Sequence, residues 1–115
     1  MHEFSIVENI LERALAIAVE HGHLPVSRVR VAIGALQQVE PEVLEFAFQA
    51  AVQGTLAEDA AFEWRAVPAR IACAACDAQF EPEDLFWVCP ECAAAGGRVL
   101  AGDELVLESV VLDET

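Results

Sequence analysis

The sequence predicts an α+β protein in which two helices pack on a three-stranded sheet and a small four-cysteine domain is inserted before the last strand. Two stretches repeat their apolar residues at helical spacing, and three others have the alternating or continuously apolar pattern of strands. All four cysteines fall between the last two of these strands. We therefore expect residues 1–68 plus 103–115 to form an α/β domain, with an inserted domain at residues 69–102.

Size and composition favour one domain of ordinary size with, at most, a small second unit. The chain has 115 residues, of which 56% are hydrophobic and 23% charged, so a disordered chain is excluded. No apolar run approaches about 18 residues, and no basic leader opens the chain. We expect a soluble, cytoplasmic protein that does not bind a membrane.

The charge balance argues against a nucleic-acid partner. Six arginines, no lysine and 20 acidic residues give a net charge of −14, which repels phosphate backbones. The cysteine-containing segment has two basic residues, Arg70 and Arg98, and five acidic residues. That segment therefore has the wrong sign for a module that binds DNA or RNA.

The first helix is predicted at about residues 4–21. Ser5 and Glu8 have the spacing of a capping box, in which each side chain accepts a free backbone N–H at a helix start. Gly22 supplies the left-handed residue that commonly ends a helix. The apolar stripe consists of Phe4, Val7, Leu11, Ala14 and Ala18.

The remaining elements follow from the same patterns. Residues 28–33 alternate as a half-buried strand does, and Gly34 ends that strand. Pro41 favours the first turn of a second helix. Residues 61–67 alternate again and residues 104–112 are rich in leucine and β-branched residues, which predicts two more strands. The aromatic residues expected in the core are Phe46, Phe48, Phe62 and Trp64.

The four cysteines predict a metal site. Cys73 and Cys76 form one CxxC pair, Cys89 and Cys92 form another, and twelve residues separate the pairs, as in tetrahedral zinc sites. Four thiolates would fill every position of a structural Zn(II) and leave none for a catalytic water. We therefore expect a zinc-ribbon-like domain that folds on binding metal. Two disulfides or a redox CxxC pair are the alternatives.

The N-terminus holds a second set of potential metal ligands. His2 is too bulky for removal of the initiator methionine, so the free amine stays on Met1. The Met1 amine, the deprotonated amide of His2 and its imidazole would close two fused chelate rings, a planar nitrogen set that suits Ni(II) or Cu(II). Glu3 would add an amide nitrogen or a carboxylate oxygen. From spacing alone, a solvated, frayed terminus is the more frequent interpretation.

Other polar and aromatic residues have two interpretations each. His21 and His23 flank the predicted helix end, where capping is favoured over accessory metal binding. Glu40 suits the start of the second helix, or contact with a metal or partner. Phe86 and Trp87 would pack beside the second cysteine pair or form a docking surface.

Several of these features together resemble the HypA/HybF family of nickel metallochaperones for hydrogenase maturation, also called hydrogenase nickel incorporation proteins. An N-terminal Met-His-Glu combined with a later four-cysteine insertion is far more specific than either part, and the resemblance covers essentially the whole chain. The features are the opening Met1-His2-Glu3-Phe4-Ser5, the segment Val31-Ala32-Ile33-Gly34, Glu40 ahead of a phenylalanine-containing helix, and the two CxxC pairs.

The resemblance implies a protein that delivers Ni(II) to the large subunit of nickel-iron hydrogenase together with a nickel-binding GTPase, and that is not an enzyme. It implies nickel binding at His2, completed by Glu3 and the terminal nitrogens from Met1 onward. It also implies a first helix that begins nearer residue 3, and some relatives serve urease as well. We expect a monomer or weak homodimer. The implied zinc ligands are Cys73, Cys76, Cys89 and Cys92.

Two other classes of function compete with this interpretation. A zinc-stabilised protein-interaction adaptor without nickel transfer is the main alternative. An enzyme would need a nucleophile with a base, or an open metal position, and the sequence has no such constellation.

Overall fold

The computed structural model describes residues 2–83 and 87–114, apart from the side chain of His2. Two three-stranded sheets are present, with strand orders β2-β1-β6 and β4-β3-β5. No helix in the described residues is long and apolar enough to cross a bilayer. The elements are α1 (His2–Glu20), β1 (Val26–Gly34), a 3-10 turn (Ala35–Gln37), α2 (Pro41–Ala51), β2 (Ala61–Val67), β3 (Arg70–Cys73), β4 (Gln79–Phe80), β5 (Gly97–Ala101) and β6 (Leu105–Leu112).

The α+β class with two helices and a three-stranded sheet is confirmed, and a second small sheet is present, whose strand β3 ends at Cys73. The contacts divide the chain into two compact units. The expected domain boundaries, 1–68 plus 103–115 and 69–102, stay a prediction. Unit 1 consists of Met1–Ala32, Val39–Arg65 and Val106–Thr115, and unit 2 of Ile33–Gln38 and Ala66–Leu105.

The start of α1 differs from the capping-box prediction. The helix begins at His2, and Ser5 lies exposed inside its second turn, so Ser5 is not the N-cap. A tertiary contact explains the earlier start, because the carboxylate of Glu3 is buried and accepts a hydrogen bond from the backbone N–H of Glu40 at 2.8 Å. Glu3 is also the acidic residue of the first turn, where its negative charge favours the positive end of the helix. Its carboxylate therefore stabilises a helix that begins before Ser5.

The C-terminal end of α1 lies just before Gly22, as the sequence predicts. Gly22 has a φ of 94°, and its N–H donates to the carbonyl of Val19 at 3.2 Å. The N–H of His23 donates to the carbonyl of Ala18 at 2.9 Å, which completes a Schellman motif. The Nδ1 atom of His21 lies 2.8 Å from the carbonyl oxygen of Ile17, so this imidazole caps the last turn.

The core of unit 1 forms between the two helices and the inner face of the sheet. Val29 and Val31 of β1 are fully buried, as the alternation predicts. Phe48 of α2 stacks on Phe62 of β2 with ring centroids 4.4 Å apart. From α1, the buried apolar residues are Ile6, Val7, Ile10, Leu11, Ala14 and Ala18.

Strand β6 pairs with β1 in the antiparallel direction. The N–H of Asp113 donates to the carbonyl of Pro25 at 2.8 Å, and the Ser27 hydroxyl donates to the carbonyl of Val111 at 3.2 Å. The start of β1 therefore lies beside the end of β6, which brings the last strand of the sequence against the first.

Two aromatic residues that were predicted to lie in the core are not fully buried. Phe46 was expected in the core, but 66% of its surface is exposed. The helix turns Leu44, Ala47 and Phe48 inward, and Phe46 falls on the opposite side. Trp64 is only half-buried, because β2 is an edge strand of its sheet.

Charged residues line the outer face of this sheet. Arg28 and Arg30 of β1 bind the two carboxylate oxygens of Glu63 at 3.2 Å and 2.8 Å. Arg65 of β2 binds Glu108 of β6 at 2.9 Å. The hydrogen bond from Arg30 is the main cause that lowers the pKa of Glu63 below its ordinary 4.5. These pairs lie at the surface, so they fix side-chain positions more than they stabilise the fold.

Arg30→Ala is expected to raise the pKa of Glu63 towards 4.5, because the largest cause of the lowering is removed. The pKa of Glu63 is lower in the folded protein than in the unfolded chain. The Arg30–Glu63 pair therefore stabilises the protein at pH values above 4.5, and this stabilisation is lost as the pH falls through the lowered pKa of Glu63. NMR titration of the Glu63 side-chain carboxyl measures the change. Arg13→Ala, on α1, is the control, and an unchanged Glu63 titration in Arg30→Ala would contradict the assignment.

Candidate metal centre

The two CxxC pairs fold in the same way. The N–H of Cys73 donates to the carbonyl of Ala78 at 2.8 Å, and the N–H of Cys89 donates to the carbonyl of Ala94 at 2.9 Å. Cys73 ends β3, which pairs antiparallel with β4 and β5. Each pair is therefore a tight loop closed by its own main chain.

A left-handed residue completes each loop. Asp77 and Ala93 have φ values of 61° and 63°. Their N–H groups donate back to the carbonyls of Cys73 and Cys89, at 3.1 Å and 2.9 Å. The left-handed residue turns the chain so that both cysteines of a pair point to the same side of the loop.

The four sulfurs converge at one point. All lie within 4.8 Å of one another, and the Sγ–Sγ distances Cys73–Cys92 and Cys76–Cys89 are both 3.6 Å. A tetrahedron with zinc–sulfur bonds of about 2.3 Å has edges of about 3.8 Å, whereas a disulfide has sulfurs about 2.05 Å apart. The geometry therefore fits one tetrahedral metal ion, and all four cysteines are free.

The centre has a buried side and an exposed side. Cys73 and Cys89 are each 1% exposed and pack with Ile71 and Phe80 in the buried cluster of unit 2. Cys76 and Cys92 are exposed. Trp87 packs against the cluster, so the expectation that it lies beside the second cysteine pair is confirmed. Phe86, expected in the same place, lies outside the described residues.

Backbone hydrogen bonds and neighbouring sulfurs set the thiol acidities. The N–H of Ala75, 3.3 Å from the Cys73 sulfur, is the main cause that lowers the pKa of Cys73 to about 7. At Cys76 the N–H of Ala78 lowers the pKa, but the other sulfurs, chiefly that of Cys92, outweigh it and raise the pKa to about 12. Four thiolates therefore need a cation between them, and binding that cation releases protons.

The predicted N-terminal ligands are partly described. His2 begins α1, while Met1 and the His2 side chain lie outside the described residues. Glu3 is 7% exposed, and its Oε2 accepts the N–H of Glu40, the residue that caps α2. Sequence reasoning missed this contact because no local pattern links residues 37 positions apart. The Glu3 carboxylate therefore ties the first turn of α1 to the start of α2.

The other histidines lie far from this terminus. His21 follows a helix of 19 residues, so it lies about 28 Å along the axis from the helix start. The structure therefore does not bring His2 and His21 to one metal. His21 contacts the carbonyl of Ile17 instead, as the capping interpretation predicts.

Comparison with known proteins gives full-length matches. Residues 1–112 match the family model described as HypA, hydrogenase/urease nickel incorporation, metallochaperone. The hydrogenase maturation factor HypA of Picosynechococcus sp. is 39% identical over 110 residues, which are 96% of this chain and 97% of that relative. The hydrogenase maturation factor HypA of Nitrosospira multiformis is 38% identical over 115 residues, the whole of both chains.

Two solved structures are also similar. The solution structure of the Ni metallochaperone HypA from Helicobacter pylori has a TM-score of 0.69 at 24% identity and covers 97% of both chains. A second structure, described as the solution structure of HypA protein, has a TM-score of 0.71 at 24% identity and covers 100% of this chain and 98% of its own. At this identity the likeness shows a shared fold.

Cys89→Ser is expected to lower the bound metal from about one ion per chain and to unfold unit 2, because it removes one ligand of a closed tetrahedral site. Unit 1 has its own core and should stay folded. Elemental analysis gives the metal content, and NMR amide spectra report each unit. Ala74→Ser, an exposed change in the first loop, is the control, and full metal content in Cys89→Ser would contradict the assignment.

Proposed function

The chain belongs to the HypA family of hydrogenase/urease nickel incorporation metallochaperones, and from this we propose that it binds Ni(II) at its N-terminus and delivers it to the large subunit of nickel-iron hydrogenase. One observation carries the proposal for this chain. His2 and Glu3 lie in the first turn of α1, and the Glu3 carboxylate anchors that turn to α2. An anchored turn presents the terminal donors from a defined place, which reduces the entropy lost when they close on a metal.

The proposed nickel donors are the Met1 amine, the amide nitrogen of His2 and its imidazole. The first N–H groups of a helix have no carbonyl acceptor within the helix, so coordination through the amide nitrogen of His2 costs no helical hydrogen bond. Glu3 would contribute a further donor from its main chain, since its carboxylate already accepts the N–H of Glu40. A planar nitrogen set of this kind favours Ni(II) over Zn(II), which prefers tetrahedral ligands.

Helix electrostatics make this proposed site dependent on pH. The N-terminus of a helix carries partial positive charge and opposes a bare cation. Loss of amide protons supplies the compensating negative charge, so acidification weakens the site. A carrier with such a site holds nickel at neutral pH and releases it when the nitrogens regain their protons.

We also propose that the four-cysteine centre holds Zn(II) in a structural role. Its four sulfurs fill a tetrahedral ion, and the metal would neutralise the thiolates and hold the two loops together. The chain then acts as a carrier and not as an enzyme. Its proposed partners are the nickel-binding GTPase of hydrogenase maturation and the hydrogenase large subunit, and urease maturation is the second route that the family description includes.

His2→Ala is expected to abolish stoichiometric Ni(II) binding and to leave the metal in the cysteine centre unchanged, because only the N-terminal chelate loses a donor. Isothermal titration of the untagged protein measures the affinity. Cells that carry the variant should have low hydrogenase activity, partly restored by added nickel. His21→Ala is the control, since that imidazole caps the far end of α1.

One nickel bound by His2→Ala with unchanged affinity would contradict the N-terminal site. The absence of nickel binding by the unmodified protein would favour the alternative, a zinc-stabilised interaction adaptor.

Acetylation of the Met1 amine is expected to weaken nickel binding at least about 10-fold, or about 1.4 kcal/mol, because it removes one donor and its chelate ring. The side chains of His2 and Glu3 stay in place, so the comparison isolates the amine. A tag after Thr115 is the control and should have no effect. Equal affinities and identical d–d absorption spectra for the acetylated and free proteins would show that the amine is not a ligand.

A further inference from the structure

Strand β2 has one edge that no other strand covers. In the order β2-β1-β6, it has a single neighbour among the described strands, so backbone N–H and C=O groups along its other side face outward. The strand has the sequence Ala-Phe-Glu-Trp-Arg-Ala-Val, and none of these residues is fully buried. An open edge of this length can pair with a further strand from another chain.

The sequence of β2 is complementary to itself. When two copies of a strand pair antiparallel about a two-fold axis, the residue at the axis faces its own counterpart, and the residues on either side of it face each other crosswise. With Trp64 at the axis, Glu63 lies opposite Arg65 of the second copy, and Arg65 lies opposite Glu63 of the second copy. The pairing therefore contains two ion pairs on either side of an aromatic pair, and both kinds of contact stabilise paired strands.

The neighbouring registers lack these contacts. An axis at Glu63 places two carboxylates directly opposite each other, and an axis at Arg65 does the same for two guanidinium groups. Like charges in these positions destabilise a strand pair, so the charges select the register centred on Trp64. The other edge strand of this sheet, β6, has Glu108 as its only charged residue and offers no such ion pair.

The side chains of β2 remain accessible to a second copy. Those of Arg65 and Glu63 are 61% and 40% exposed, although both already bind charged groups of the same sheet. Trp64 is half-buried. On the outer face of the sheet, three arginines share the carboxylates of Glu63 and Glu108, so the local charge is positive although the whole chain carries −14. Two copies can therefore meet here without bringing acidic surface against acidic surface.

We propose that the open edge of β2 is a self-association surface, at which a second copy of this chain pairs antiparallel with Trp64 at the two-fold axis. The pairing joins the two β2-β1-β6 sheets into one, satisfies the outward-facing backbone groups and covers both Trp64 rings. At physiological ionic strength, repulsion between the two acidic chains is screened beyond about 8 Å, so the contacts at the edge decide the affinity. The surface is independent of the proposed nickel site.

Two opposite charge reversals test the pairing. Arg65→Glu places carboxylates opposite each other at both ion-pair positions, and Glu63→Arg places guanidinium groups there. Each variant alone is expected to dimerise at least about 10-fold more weakly than the unmodified chain. An equal mixture of the two is expected to form a hybrid dimer, because each contact again joins opposite charges. Sedimentation velocity of the untagged, zinc-loaded protein at physiological ionic strength measures the dimer dissociation constants.

The matched controls make the same changes of charge on α1, at the exposed positions Arg13→Glu and Glu12→Arg. Both should dimerise as the unmodified chain does. An unmodified chain that stays monomeric up to its solubility limit would overturn the proposal. So would a dimer that neither reversal weakens, or two folded reversal variants that do not associate when mixed.

A measurement on the unmodified chain does not depend on the folding of any variant. The outward-facing backbone amides of β2 are expected to exchange their hydrogens more slowly as the protein concentration rises, because pairing takes them out of water. The amides of β6 should not change. Hydrogen exchange followed by NMR reports both strands. Protection that rises at β6 or on a helix, and not at β2, would overturn the proposal and place the second copy elsewhere.

Discussion

Convergence of four sulfurs is the constraint on which unit 2 depends. Among the described residues its buried cluster consists of Ile71, Phe80 and two of the cysteines, with Ala78, Trp87, Ala94 and Val99 packed against it and partly buried. This is little apolar surface to hold two loops and three short strands together. The two loops therefore have to be joined by something stronger than packing, and a tetrahedral ion at the observed sulfur spacing supplies that bond. The structural role of the centre follows from the smallness of the core around it.

Unit 1 depends on ordinary packing, with one buried polar contact between the starts of its two helices. The bond from the N–H of Glu40 to the buried carboxylate of Glu3 selects a start at His2. A buried carboxylate is costly unless it accepts hydrogen bonds, so this contact holds both helix starts in one arrangement. The aromatic contact of Phe4 with Phe46 lies beside it and extends the same surface.

Local patterns predicted the features that local physics determines. The helical stripe, the alternation of β1 from Arg28 to Val31 and the cysteine spacing each reflect a repeat within a few residues, and each is found in the structure. Ala32, which the alternation places on the exposed face, is buried. The errors arose where distant residues decide. Ser5 and Glu8 have the spacing of a capping box, but the contact of Glu3 with Glu40 accompanies an earlier helix start. Phe46 is a residue type that is usually buried, but it lies on the exposed side of α2. The short strands β3 to β5 have too few residues for a recognisable pattern, since they form around the cysteine loops.

The unequal burial of the cysteines predicts the order in which they would release a bound metal. Cys76 and Cys92 face solvent, whereas Cys73 and Cys89 lie in the buried cluster. With a metal bound, a competing chelator would reach the exposed sulfurs of Cys76 and Cys92 first, and ligand exchange would proceed stepwise from that edge. Cys73 and Cys89 would then be the last ligands to be released. The two exposed cysteines would set the lifetime of the loaded centre, although all four would contribute to its affinity.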